Sequence, residues 1–134
     1  MTARRIPTLS LAIAVAALVT GGCGPNLGLV PVTGRVTFAG KSPPAECSLI
    51  FAPADAASKL RPGVAICDSS GYFRAGSYKL GDGLLPGRYR PRLRCIDFAN
   101  ATETKPPVDH VPQGFELPVF EVSSQGVEID FDVR

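Results

Sequence analysis

The sequence contains no tryptophan, only three tyrosines (Tyr72, Tyr78 and Tyr89) and a single histidine, His110. The shortage of indole and phenol rings argues against an aromatic platform for stacking sugars. One imidazole is too few for a histidine-rich metal site, and no cofactor is expected. His110 stands beside Asp109, but no serine sits in a nucleophile-elbow context, so a Ser-His-Asp triad lacks its nucleophile and no enzymatic activity is expected. Charge of one sign is also missing. Fourteen basic residues face 12 acidic ones, and Arg4 and Arg5 lie in the segment expected to be removed, which leaves 12 against 12. A neutral chain has no electrostatic footprint for nucleic acid. The longest apolar run, Leu9 to Val19, has 11 residues. As a helix it reaches about 17 Å, well short of the roughly 30 Å of a bilayer core, so it is no permanent membrane span. No phosphate-cradling glycine loop, calcium-loop pattern, internal repeat or amphipathic helix is found.

The N-terminal order is that of a secretory signal peptide: Arg4 and Arg5, the apolar run, then the small residues Thr20, Gly21 and Gly22 before Cys23. Val19-Thr20-Gly21-Gly22-Cys23 resembles a bacterial lipobox, although Thr20 stands where an aliphatic residue is usual. The resemblance implies a diacylglyceryl group on the Cys23 thiol and cleavage before it. Residues 1–22 are then the signal peptide, and 23–31 the lipidated cysteine with a Pro- and Gly-containing tether. Residues 32–134 form one domain, held to a cell-envelope membrane by lipid. Gly24 leans this towards the outer membrane.

Fourteen glycines and 13 prolines suit short strands and many turns. Alternation of period two marks Val32 to Phe38, then Cys47, Leu49 and Phe51 on one face, Val64 to Cys67, and Tyr72 to Ala75. It continues over Arg88 to Cys95 with Pro91 inside, Phe115 to Val122 interrupted by Pro118, and Gly126 to Val133. A proline within a strand predicts an edge position or a bulge. Asp68-Ser69-Ser70-Gly71 reads as a turn. The expectation is an all-β, seven-stranded sandwich.

Three segments resemble carboxypeptidase regulatory-like (transthyretin-like) domains. They are Val32-Thr33-Gly34-Arg35-Val36-Thr37-Phe38 with Gly40-Lys41, Cys67-Asp68-Ser69-Ser70-Gly71-Tyr72-Phe73, and Leu85-Pro86-Gly87-Arg88-Tyr89. Cys67 stands where threonine is usual. The resemblance implies an immunoglobulin-like or transthyretin-like sandwich, used as an accessory module or as a small envelope lipoprotein. Its motifs fix turns and core aromatics and leave the ligand open.

With Cys23 set aside, Cys47, Cys67 and Cys95 remain, an odd number. The resemblance implies a strand layout that brings them close. One disulfide with an undecided pairing, three buried thiols and a thiolate metal site stay open, the last without any standard zinc spacing. Arg88, Arg90, Arg92 and Arg94 alternate along one strand and form a stripe. It reads either as a solvated face, neutralised by Glu128, Asp130 and Asp132 if the strands are neighbours, or as a surface for anionic lipid or acidic glycan. Residues Phe98 to Gly114 read as a long connecting loop, and Asn100-Ala101-Thr102 as a glycosylation sequon without weight in a bacterial lipoprotein. The functional expectation is a membrane-anchored, non-catalytic structural or interaction module that contacts an envelope protein or glycan. A small-ligand carrier or glycan-binding sandwich is the alternative.

Overall fold

The computed structural model describes residues 28–134, and the expected signal peptide, Cys23 and the start of the expected tether lie outside them. The described residues form eight strands and no helix: β1 Val32–Phe38, β2 Glu46–Pro53, β3 Gly63–Ile66, β4 Tyr72–Arg74, β5 Gly87–Asp97, β6 Val108–Asp109, β7 Phe120–Val122 and β8 Val127–Val133. One sheet has the order β4-β1-β8, and the other β3-β2-β5-β6 with β7 also on β5. The first and last strands, β1 and β8, run parallel. The folded unit also takes in Val30 and Pro31: Val30 exchanges main-chain hydrogen bonds with Leu84, and the Pro31 carbonyl accepts the Val127 N–H.

Alternating side chains give each sheet one apolar face. Val32, Val36, Phe73, Phe131 and Val133 come from the smaller sheet, and Cys47, Leu49, Phe51, Ala65, Tyr89, Leu93 and Cys95 from the larger. The two faces meet through a closed circuit of four phenyl rings. Phe51 of β2 contacts Phe73 of β4, which stacks on Phe131 of β8; Phe131 meets Phe120 of β7 edge-on, and Phe120 returns to Phe51, with centroid separations of 5.8–6.2 Å. Gly34 makes this closeness possible. A Cβ there would lie 1.7 Å from the Ile129 carbonyl oxygen and 2.9 Å from the Phe73 ring.

The strand count corrects the seven expected. The segment expected to pair from Phe115 does so only from Phe120, and the expected loop after Phe98 contains β6. The physical reason is an interruption. Asp109 lies opposite Ile96 and Phe120 opposite Tyr89, so seven steps along β5 correspond to eleven along its neighbour. β6 and β7 are two ends of one edge strand whose middle, containing Pro112 and Pro118, lifts away from β5. Pro91 faces this gap: it lies four residues from Cys95, whose N–H points to the β6 side, so by strand alternation its missing N–H is on the open side, where it forfeits no ladder bond.

Candidate binding surface

Strand alternation aims Tyr89, Pro91, Leu93 and Cys95 inward and Arg88, Arg90, Arg92 and Arg94 outward. Register then sets their neighbours on the outer face. Arg94 lies beside Ser48 with Ile66 one strand further, Arg92 beside Ile50 with Val64 one strand further, and Arg90 beside Ala52. Ile50, Val64 and Ile66 are 43%, 48% and 53% exposed, a high value for aliphatic side chains and an unbroken apolar strip beside the arginines. A groove of about 540 Å³ borders the stripe, lined by Arg90, Arg92, Arg94, Leu93 and the lifted segment from Gly114 to Leu117.

The acidic stripe of Glu128, Asp130 and Asp132 does not neutralise these arginines. β8 belongs to the other sheet, where it pairs with β1. Its carboxylates serve β1 instead: Asp130 accepts the Arg35 N–H, and Asp132 accepts the Thr37 hydroxyl and the Gly40 N–H. Glu121 stands opposite Arg88, and Glu116 lines the groove. Among the described residues the ion pairs are His110 with Asp97 and Arg134 with Asp132, so none of the four stripe arginines is in one. Alternate residues of a strand are about 6.8 Å apart, inside the roughly 10 Å screening length of 0.1 M salt, so the row repels itself.

Asp109 does not orient His110. Its carboxylate accepts the N–H groups of Cys95 and Val111, and the His110 Nε2 lies 3.7 Å from Asp97 Oδ2.

The three cysteines form one row across three strands. Cys47 lies opposite Cys95, and its carbonyl accepts the N–H of Cys67 just beyond β3. All three are buried free thiols. Burial pushes the Cys67 thiol up to about 11, and burial with the adjoining Cys95 thiol pushes Cys47 higher still. Among the described residues no group of three or more His, Cys, Asp or Glu is placed to hold a metal ion, and no helix is long and apolar enough to cross a membrane.

Fold and surface together define an all-β, two-sheet protein with a basic, partly apolar outer face. No family model, no curated protein and no solved structure matches the chain.

Proposed function

We propose that this chain is an exported envelope lipoprotein, anchored through lipid on Cys23, whose single carboxypeptidase regulatory-like sandwich works as a non-catalytic interaction module. Its partner is an envelope protein with an acidic surface. The observation that carries this reading is the outer face of the larger sheet, where Arg90, Arg92 and Arg94 lack ion pairs among the described residues and stand on the same face as exposed Ile50, Val64 and Ile66. Arginine around an apolar strip is the composition enriched at protein interfaces, and an acidic partner relieves the repulsion within the row. A small-ligand carrier has the 540 Å³ groove in its favour, a volume within the range of ligand sites.

A photo-crosslinking residue at Ile50, with a control at Glu128 on the opposite sheet, tests the proposal in cells. A discrete protein adduct is expected from position 50, absent from position 128, and lost when Arg90, Arg92 and Arg94 are all changed to Gln. No adduct, or one indifferent to the three substitutions, overturns it. Sedimentation with anionic lipid vesicles, lost in the same triple variant, assigns the face to lipid instead.

A further inference from the structure

The row of cysteines carries an inference independent of the binding face. Cys47 and Cys95 are directly opposed on antiparallel strands and turn their main-chain groups away from each other. The Cys47 carbonyl is taken by Cys67 on the β3 side. The Cys95 carbonyl accepts the His110 N–H, and its own N–H goes to Asp109, both on the β6 side. The two therefore form a non-hydrogen-bonded pair, the antiparallel position where Cα atoms approach most closely. That separation is about 4.5 Å, inside the roughly 4.4–6.8 Å window of disulfides. Both side chains point into the core, at 1% and 0% exposure. Both thiols converge on one acceptor, the Ala45 carbonyl, at 3.7 and 3.5 Å. Cys67 is the less suited partner. It meets Cys47 across a main-chain hydrogen bond, the wider type of antiparallel pair.

We propose that Cys47 and Cys95 form a cross-strand disulfide that ties β2 to β5, and that Cys67 remains the unpaired thiol. The oxidant is a disulfide donor, a small-molecule or protein disulfide. One cysteine thiolate attacks the donor, releases one donor thiol and forms a mixed disulfide. The second cysteine thiolate then attacks the protein sulfur of that mixed disulfide and releases the other donor thiol. The protein loses two hydrogens and the donor is reduced to two thiols. Burial makes thiolate formation unfavourable in the finished fold, so the reaction belongs to the folding chain, as β2 and β5 pair and before the core closes.

Trypsin separates the three cysteines by cutting after Lys41, Lys59, Arg74 and Arg94, while the bonds after Arg61 and Lys105 precede proline and stay intact. Cys47 falls in residues 42–59, Cys67 in 60–74 and Cys95 in 95–134. The test is the full chain refolded with oxidised glutathione, blocked with N-ethylmaleimide in denaturant, digested and mass-analysed without reduction. A linked 42–59/95–134 species is expected, with the 60–74 peptide alkylated. Cys67→Ala is expected to keep that species, so the result does not depend on a variant that loses the candidate bridge. A link between 42–59 and 60–74, or three alkylated peptides, overturns the proposal. Recovery of the expected link from protein isolated from the envelope shows that the same chemistry occurs there, whereas three alkylated peptides from that source confine the bridge to the test tube and refute it for the native protein.

Discussion

Tyr89 shows how one side chain serves two parts of the fold. Its ring is fully buried against Phe120, and its hydroxyl donates to the Leu85 carbonyl at 2.7 Å, closing the turn that launches β5. Burial raises its pKa, so the phenol stays protonated and able to donate. Removal of the hydroxyl in Tyr89→Phe leaves the ring packing and deletes the bond. The expected loss is about 1 kcal/mol in urea unfolding, with an unchanged slope. An unaltered midpoint shows that the hydroxyl contributes nothing to the turn. Gly34 is the opposite case, a position defined by the absence of a side chain, because the main chain of β8 occupies the space a Cβ requires.

At the scale of elements, aspartates close the connections. The Asp68 carboxylate accepts the Ser70 hydroxyl and the N–H groups of Ser70 and Tyr72, and these bonds, the hydroxyl first, hold its pKa below the usual range. Burial pushes Asp82 up, but N–H donors from Ser77, Lys79 and Tyr78 outweigh it and the net direction is down. Asp132 is lowered to about 2, first by the Thr37 hydroxyl, then by Arg134 and the Gly40 N–H. All three folded-state values lie below the unfolded value, so their stabilisation is present above the unfolded pKa and is lost as pH falls through the folded one. Thermal midpoints are therefore expected to be level from roughly pH 7 to 5 and to fall between roughly pH 4 and 2. Asp132→Asn is expected to flatten that fall; an acid limb as steep as in the parent excludes Asp132 as a contributor.

Over the whole molecule, the two outer faces differ in their balance of charge. Glu128, Asp130 and Asp132 lie on the smaller sheet, and Arg88, Arg90, Arg92 and Arg94 on the larger. On the smaller sheet Arg35, Arg74 and Arg134 share the face of these carboxylates and balance them, whereas the larger sheet keeps an excess of arginine, which favours a definite orientation towards an acidic partner. The proposed anchor has its own check, the intact mass of the protein extracted from membranes. A chain beginning at Cys23 with acyl additions is expected. A chain beginning at Met1 refutes export and anchoring, while the Ile50 crosslinking experiment tests the binding face separately.

Local rules made much of the architecture readable from the sequence. Val32 to Phe38 and Gly126 to Val133 alternate so regularly that side-chain direction follows from period two alone, and Asp68 to Gly71 carries its turn chemistry in four residues. The Arg88 to Arg94 stripe was legible for the same reason, whereas Pro91, which predicts an edge position or a bulge, sits in a strand with partners on both sides and faces the stretch between β6 and β7. Strand neighbours were not legible, because pairing joins residues far apart in sequence and depends on how both sheets close over one core. Only the tertiary structure put β8 beside β1 and left the arginines without the acidic stripe. It also lifted residues after His110 from the edge of β5 and set Cys47 opposite Cys95. The sequence determined which residues point inward and where the chain turns, since those depend on each residue and its nearest neighbours. The fold decided which faces and which thiols meet, since that depends on register between strands.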